Sequence, residues 1–236
     1  MSSRCICVID SGIGGLAVLK EITKVVPKCN YLYFSDSDNM PYGNKSKRAL
    51  WRRMIEILTF LSQYKFDCLV LGCNTLSVNY VKEIEDFLGV KTFGVFPPIE
   101  SCIIENDRSI LLSTPLTAKK YSNVKGLEVV GLEKLAYDIE QNKFCLNNLR
   151  ISFEKKFDGQ KALILGCTHY FFAQKQIIDY FRPPIVYRGE VYTAKMVAKY
   201  ISNLKTLDNN KRFEIKFIGK NANVNKNFWE KVVKNI

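Results

Sequence analysis

The chain has 236 residues, 47% of them hydrophobic, which is enough to bury one large core or two compact ones. The sequence shows neither a secretory signal nor an apolar run approaching the ~20 residues of a membrane span, so we expect a cytoplasmic protein. The net charge of +12 would suit a nucleic-acid binder, but the basic residues are scattered and no known nucleic-acid-binding signature organises them. We therefore expect neither a membrane role nor a dedicated nucleic-acid role.

Eight cysteines are spread along the chain without a CxxC pair, and there is a single histidine. A disulfide framework is typical of small secreted domains, which this sequence does not resemble in size. A structural zinc site needs closely spaced Cys and His ligands, which are missing here. We therefore expect reduced thiols and no bound metal.

Short apolar runs alternate with longer amphipathic ones along most of the chain. This alternation predicts strands and helices in turn. The predicted strands are 6–9, 31–34, 68–71, 92–96, 110–113 and 162–165, and the predicted helices are 14–26, 45–63 and 76–87. The expected fold class is α/β, with mainly parallel sheets flanked by helices.

The chain is expected to cross between two domains twice. Pro97-Pro98 follows a predicted strand, and proline ends both helices and strands, so the first crossing is placed there. The return crossing is expected near 203–210, where the segment 206–212 is polar, and after it a strand at 213–218 and a helix at 227–233 rejoin the first domain. The predicted domains are 1–97 plus about 206–236, and 98–205.

An internal repeat relates the two predicted domains. Residues 68–75 and 162–169 both consist of an apolar strand, a glycine, a cysteine and two polar residues. Such a duplication indicates two pseudo-symmetric domains. Because ligands bind beyond the carboxyl ends of parallel strands, Cys73 and Cys167 are expected on opposite walls of one cleft.

A cysteine between a strand and a helix lies near the helix N-terminus, which favours the thiolate and lowers the thiol pKa towards neutral. Such a thiol can serve as an acid or a base. Free cysteines are more often buried packing residues, and we assign that role to the other six: Cys5, Cys7, Cys29, Cys68, Cys102 and Cys145. For Cys73 and Cys167 the repeated glycine and polar flanks favour function, and His169 is close enough in sequence to exchange a proton with Cys167.

Two loops that follow predicted strands would face the same cleft. The loop 10–15 is rich in glycine but fits neither the dinucleotide fingerprint nor the Walker A motif. Asp10 at its start would repel phosphate, and could instead hold an ammonium group or orient a thiol. The second loop, Pro41-Tyr42-Gly43, places an exposed tyrosine in a rigid turn that could bind a carboxylate or simply reverse the chain.

Helix starts beside the two cysteines carry hydroxyl and amide groups suited to a carboxylate, at Asn74, Thr75 and Thr168. Helix capping is the alternative role for these side chains, and the two roles can coexist.

Four motifs of the chain occur together, in the same order, in one enzyme family. They are Asp10-Ser11-Gly12-Ile13-Gly14-Gly15-Leu16, Pro41-Tyr42-Gly43, Cys73-Asn74-Thr75 and Gly166-Cys167-Thr168-His169, with a weaker fifth match at Ser113-Thr114-Pro115-Leu116-Thr117. With these motifs the chain resembles the glutamate racemase branch of the aspartate/glutamate racemase superfamily. The resemblance implies two similar α/β domains with the active site between them, and neither pyridoxal phosphate nor a metal.

The resemblance also implies a role for each matching residue. Cys73 and Cys167 would be the two acid-base residues, assisted by Asp10 and His169, with Glu140 as a weaker candidate. The substrate would be bound by Ser11, Tyr42, Gly43, Asn74, Thr75, Thr114 and Thr168. A homodimer and a supply of D-glutamate for peptidoglycan synthesis are further implications. The chain departs from the family pattern at 35–40 and 187–190.

Two alternatives remain open on the sequence alone. A sister racemase or isomerase could use the same two-cysteine frame on aspartate or a related acid. A non-catalytic protein could keep the fold and use its basic surface to bind nucleic acid or a partner. The intact cysteine pair favours an enzyme, and the two strand-end loops favour glutamate.

Overall fold

The computed structural model describes residues 4–146, 161–204, 213–231 and 233. Within these residues the strands are β1 (Cys5–Asp10), β2 (Asn30–Ser35), β3 (Cys68–Leu71), β4 (Thr92–Gly94), β5 (Ser109–Ser113), β6 (Leu127–Gly131), β7 (Ala162–Gly166), β8 (Ile185–Arg188) and β9 (Ile215–Ile218). The α-helices are α1 (Gly15–Val25), α2 (Lys47–Leu61), α3 (Asn74–Leu88), α4 (Ile99–Glu105), α5 (Pro115–Tyr121), α6 (Leu135–Gln141), α7 (Gln174–Phe181), α8 (Glu190–Asn203) and α9 (Ala222–Lys231).

The strands form two sheets, in the orders β4-β3-β1-β2-β9 and β6-β5-β7-β8. Every strand pairing is parallel. The central strands are buried over their whole length, as expected for parallel strands covered by helices on both faces. The predicted fold class, two mainly parallel sheets flanked by helices, is therefore confirmed.

Element boundaries differ from the predicted ones by a few residues. Helix α3 begins at Asn74, two residues before its predicted start, because Cys73 already has extended backbone geometry and the next residue turns into the helix. Strand β4 ends at Gly94, before the predicted end at 96. Strand β9 pairs with β2 and so returns the chain to the first sheet, whereas the predicted crossing near 206 lies outside the described residues.

The two sheets are joined by a shared apolar core. Helix α1, which follows β1, packs against α8, and one buried cluster extends from Leu19 of α1 to Val197 of α8. A hydrogen bond of 3.1 Å from Thr193 Oγ1 to the Gly94 carbonyl also links the two halves. Among the described helices, none has the length and apolar character needed to cross a bilayer.

Candidate active site

Both cysteines singled out by the repeat follow interior strands of their sheets. Cys73 comes two residues after β3, which neighbours β1, and Cys167 comes directly after β7, which neighbours β5. Asp10 ends β1 and Thr114 follows β5. All four side chains therefore lie at the carboxyl ends of strands, one neighbouring pair of strands in each sheet. The cysteines are only 6% and 7% exposed. Cys167 is close enough to act electrostatically on Cys73, so the two halves bring both thiols to one buried site.

The Cys73 thiol lies at the N-terminus of α3, where the backbone N–H groups of Leu76 and Thr75 point towards it. These donors favour the thiolate, but burial and the nearby Asp10 carboxylate outweigh them and raise the pKa of Cys73 above that of an ordinary thiol. The expectation of a pKa lowered towards neutral was wrong for this residue. Here the helix N-terminus does not compensate for the loss of water around the buried thiol.

Cys167 is followed by a short 3-10 helix, Thr168–Phe171, and the α-helix α7 begins only at Gln174. The tight turn places His169 beside Cys167, inside the protein. Burial alone would lower the pKa of His169, but the adjacent Cys167 and Glu140 side chains raise it well above its ordinary value. The structure therefore favours an imidazolium next to Cys167.

Glu140, on α6, is the partner of His169. Its Oε2 atom lies 2.9 Å from His169 Nε2 and accepts a 2.8 Å hydrogen bond from the Ile13 backbone N–H. Burial acts to raise the pKa of Glu140, but the bond to His169 and the Ile13 N–H overcome it and the pKa is lowered. The carboxylate is thus held ionised against the imidazolium. The weaker candidate of the sequence analysis lies inside the site.

Asp10 is anchored by the glycine-rich loop that follows it. Its Oδ2 atom accepts hydrogen bonds from the backbone N–H groups of Gly15 at 2.7 Å and Gly12 at 3.3 Å. Its Oδ1 atom is buried and has no hydrogen-bond partner among the described residues. Burial raises the pKa of Asp10 to about 6, against the opposing influence of His169 and the backbone N–H groups.

Asn74 and three threonines supply polar groups at the centre of the site. Asn74 donates from Nδ2 to the Val95 carbonyl at 3.0 Å, while its buried Oδ1 atom has no partner within the described part of the chain. The Thr75 hydroxyl lies 2.9 Å from that of Thr114 and 3.3 Å from that of Thr117. Cys73, not a hydroxyl residue, occupies the N-cap of α3 and forms no side-chain capping bond, so capping does not account for these groups.

The Pro-Tyr-Gly loop differs from its prediction. Tyr42 was expected to be exposed, but its side chain is buried in the apolar cluster that contains Cys73, and its hydroxyl donates to Asp36 Oδ2 at 2.8 Å. Arg53 also binds Asp36, through Nε at 2.9 Å and Nη2 at 2.7 Å. The Asp36 carboxylate, held by Arg53, therefore fixes the position of the loop through the Tyr42 hydroxyl.

Two glycines let the halves approach each other closely. A Cβ atom on Gly43 would lie 2.1 Å from the Cβ of Thr114, and a Cβ on Gly14 would lie 2.4 Å from the Thr168 hydroxyl. Neither contact leaves room for a side chain, so glycine at these positions allows the loops of the first sheet to touch the second. Ser11 and Thr168, both predicted to bind substrate, are also buried.

The remaining cysteines lie outside the site. Cys7, Cys29, Cys68 and Cys102 are buried, as expected, but Cys5 is half-buried and Cys145 is exposed, so a buried packing role was wrong for Cys145. All eight cysteines are free thiols. No group of three or more His, Cys, Asp or Glu side chains suited to a metal was found among the described residues.

The predicted site residues thus come together, with Asp10, Asn74 and Thr75 on one side and Thr114, Thr168 and His169 on the other. Ser37 and Thr117 were not predicted, although Thr117 is part of the weaker fifth motif and Ser37 lies on a strand-end loop, as the other site residues do. The second departure from the family pattern, 187–190, contains a separate ion pair, with Arg188 Nε 2.9 Å from Oε1 of the buried Glu190.

Chemically, the site offers two buried thiols within electrostatic reach of each other, an imidazolium beside one and a carboxylate beside the other. Such a pair can accept a proton at one point and donate a proton at another. Glutamate racemase 2 of Bacillus subtilis is 32% identical to this chain, in an alignment that covers 84% of this chain and 82% of the relative. The chain belongs to the glutamate racemase family. Its members are amino-acid racemases, which confirms the prediction of a racemase enzyme over a non-catalytic binding protein.

Other glutamate racemases are also similar to this chain in sequence and in structure. That of Clostridium acetobutylicum is 31% identical, with coverage of 85% of both chains, and that of Buchnera aphidicola from Acyrthosiphon pisum is 29% identical across 97% of this chain and 87% of the relative. The solved glutamate racemase of Thermus thermophilus superposes with a TM-score of 0.75 at 26% identity, covering 97% of this chain and 92% of that one. No protein-family model matches the sequence.

Proposed function

We propose that this chain interconverts L- and D-glutamate without a cofactor, by two-base proton transfer between Cys73 and Cys167. The observation that carries the proposal is the placement of both thiols at the carboxyl ends of interior strands from two different sheets, buried together and within electrostatic reach of each other. A thiolate on one side removes the α-proton, and a thiol on the other side delivers a proton to the opposite face. The α-carbon is thereby inverted, and the two cysteines exchange protonation states.

The surroundings of the two thiols differ in a way that suits this exchange. The Asp10 carboxylate lies near Cys73 and favours its neutral thiol, whereas the His169 imidazolium lies beside Cys167. Each direction of the reaction requires one thiol and one thiolate, so an anion beside one sulfur and a cation beside the other suit the exchange. Because the thiols interact, activity should report the ionisation of the pair.

Polar groups around the thiols suit an amino-acid substrate with two carboxylates. The unpartnered acceptors Asp10 Oδ1 and Asn74 Oδ1 match the N–H donors of an α-ammonium group. The proposed carboxylate ligands are the hydroxyls of Ser11, Thr75, Thr114 and Thr168 and the backbone of Tyr42 and Gly43. Stabilising negative charge at the α-carboxylate would lower the barrier to proton removal.

The proposed cleft lies between two domains, residues 1–97 with about 206–236, and residues 98–205. The return of β9 to the first sheet supports this division. The solved glutamate racemase of Francisella tularensis, which shares the fold at a TM-score of 0.75, was determined in complex with D-glutamate. We also propose a cytoplasmic homodimer that supplies D-glutamate for peptidoglycan synthesis; light scattering at several concentrations tests the dimer.

The activity is tested by incubating the purified protein with each enantiomer of glutamate and of aspartate and separating the products by chiral chromatography. Both L-glutamate and D-glutamate are expected to racemise, and conversion of aspartate alone would overturn the substrate assignment. Cys73→Ser and Cys167→Ser are each expected to lose at least a thousandfold in kcat/KM, since general acid-base groups typically contribute about 10²–10⁴-fold and both are needed in each turnover. Cys145→Ser, at an exposed cysteine, is the matched control and should retain full activity.

The cellular role has a separate test. The gene is expressed in a bacterium that lacks its own glutamate racemase and requires D-glutamate for growth. The wild-type gene should remove that requirement, and the Cys73→Ser gene should not. Failure of the wild-type gene, despite activity of the purified protein, would reject the proposed role in peptidoglycan synthesis and leave the racemase assignment standing.

A further inference from the structure

A line of hydrogen bonds reaches Glu140 from the C-terminal helix. Asn225 of α9 donates from Nδ2 to the Ser35 hydroxyl at 2.7 Å, the Ser35 and Ser37 hydroxyls lie 3.3 Å apart, and Ser37 donates to Glu140 Oε1 at 3.0 Å. Asn225 is fully buried, Ser35 is buried and Ser37 is half-buried. We call Asn225, Ser35 and Ser37 the hydroxyl chain. It ends on the carboxylate that holds His169.

The direction of the hydroxyl chain follows from the number of hydrogens available. Ser37 has one hydroxyl hydrogen, and an ionised carboxylate only accepts, so that hydrogen is used on Glu140. Ser35 must then donate to Ser37, which leaves Ser35 to accept from the Asn225 amide. Every donor therefore points towards Glu140. Aligned donors polarise one another, and the last one binds the carboxylate more strongly than an isolated hydroxyl would.

The contact also joins the two halves of the molecule. Ser37 follows β2 of the first sheet, whereas Glu140 belongs to α6, between strands β6 and β7 of the second. Oxygen Oε2 of Glu140 is occupied by Ile13 and His169, and oxygen Oε1 by Ser37. Two of the donors to this carboxylate thus come from the opposite half. Its orientation towards His169 depends on the first sheet's loops being in place.

We propose that Ser37 is a positioning residue for the Cys167 side of the reaction, whose hydroxyl, oriented by Ser35 and Asn225, holds the Glu140 carboxylate against His169. This inference rests on the proposed function, because it assumes that His169 serves Cys167 during proton transfer. Ser37 lies within 35–40, where the chain departs from the family pattern. We therefore assign its role from the contact with Glu140 and not from the family pattern.

Other charged groups also act on Glu140 and remain unchanged when Ser37 is altered. His169 faces it directly, and Lys143, in the turn just beyond the end of α6, has its Nζ 3.9 Å from Oε1. Asp10 acts through His169, and the Tyr33 hydroxyl, which donates to the Gly12 carbonyl, is also within electrostatic reach. Since these groups are constant, a change in the titration of Glu140 in a Ser37 variant reports the lost hydroxyl.

The test uses the fact that His169 is the only histidine of the chain. In protein labelled with 15N-histidine, the imidazole resonances need no assignment. As the pH is lowered, their chemical shifts change when Glu140 becomes protonated. Ser37→Ala should move the midpoint of this change up by about one pH unit, the size expected when one hydrogen bond to a carboxylate is lost. The same variant should lose about tenfold in kcat/KM in both directions. Ser37→Thr keeps the hydroxyl and should restore both values.

Two further variants complete the test. Ser62→Ala removes an exposed hydroxyl at the end of α2 and should change neither the titration nor the activity. Ser35→Ala leaves the Ser37 bond in place and should give a smaller shift in the same direction, which keeps the proposal testable if Ser37→Ala does not fold. A wild-type titration curve in the folded Ser37→Ala or Ser35→Ala protein overturns the proposal. An inactive wild-type protein would instead overturn the proposed function.

Discussion

The Nε2 atom of His169 lies 2.9 Å from Oε2 of Glu140, and the two side chains are only 2% and 3% exposed. A buried ion pair is costly to desolvate, and its main effect is felt when one partner is removed and the other is left charged and alone. In this chain the pair joins α6 to the turn that carries Cys167. The charge beside the thiol is therefore controlled by a residue that does not touch the thiol.

Glu140→Gln should uncouple His169 from its counter-ion. The pKa of His169 should fall, because Glu140 is, with Cys167, one of the groups that raise it, and kcat/KM should drop by about 10²-fold. The pair stabilises the fold most between the ordinary Glu pKa of 4.5 and the ordinary His pKa of 6.5, and this stabilisation is lost as the pH falls through the lowered pKa of Glu140 or rises through the raised pKa of His169. Unfolding free energies should therefore differ by about 3 kcal/mol in that window and converge at lower and at higher pH.

The exposed Glu83 provides the control for this substitution. Glu83→Gln should match the wild type in activity and in urea unfolding at every pH. Equal pH dependence of stability in Glu140→Gln and the wild type would contradict the ionised state of the buried pair.

Asp10→Asn should make the protein more stable and less active. The pKa of Asp10 is raised from 3.8 to about 6 by burial, so the ionised carboxylate destabilises the fold above pH 6 and the penalty disappears below 3.8. The variant should gain up to about 3 kcal/mol at pH 8, with the gain shrinking as the pH falls. Thermal unfolding between pH 4 and 8 measures this, with Asp179→Asn at an exposed position as control. A gain that grows towards acid pH would reverse the assignment.

Arg53→Lys should weaken the support of the Tyr42 loop. Arg53 contacts both oxygens of the buried Asp36, which lysine cannot do in the same geometry. Since Arg53 is one-third exposed, we expect a modest loss of about 1–2 kcal/mol in unfolding free energy, together with a raised KM for glutamate. The adjacent, exposed Arg52 offers the matched substitution, Arg52→Lys, which should change neither quantity. A KM effect of equal size in both variants would argue against a specific role for Asp36.

Gly43→Ala should separate the two walls of the site, because the new Cβ would lie 2.1 Å from the Cβ of Thr114. The Gly43 loop or the Thr114 wall must then shift, and a misplacement of catalytic groups by about 1 Å is enough to cost roughly 10²-fold in rate. Steady-state kinetics should show a lower kcat/KM, while the far-UV circular dichroism spectrum should stay unchanged. Gly89→Asn, at a left-handed helix end with open space around it, is the control. Normal activity in Gly43→Ala would mean that the walls are not in contact in the working enzyme.

Much of this organisation could be read from the sequence. The duplicated strand-Gly-Cys turn identified two cysteines among eight, and both lie at the carboxyl ends of interior strands. Strand-end placement follows directly from local patterns, because apolar runs and glycine turns are short-range signals. The positions of Asp10, Asn74 and Thr75 were predictable for the same reason.

Burial and long-range contacts were not predictable in this way. The Ser37–Glu140 contact spans 103 residues, and no local pattern encodes it. Tyr42 was expected to be exposed because its flanking residues are typical of turns, yet its ring fills the core beneath the site. The raised pKa of Cys73 likewise depends on burial next to Asp10, which only the assembled halves produce.

The hydroxyls of Thr75 and Thr114, 2.9 Å apart, hold the walls together through the same groups that the proposed substrate needs. The proposed glutamate substrate would therefore replace a bond within the protein by bonds to its own carboxylates. The same contact between the walls keeps both thiols buried, and oxidants attack exposed thiolates. The burial that raises the pKa of Cys73 thus also protects the proposed catalytic pair from oxidation.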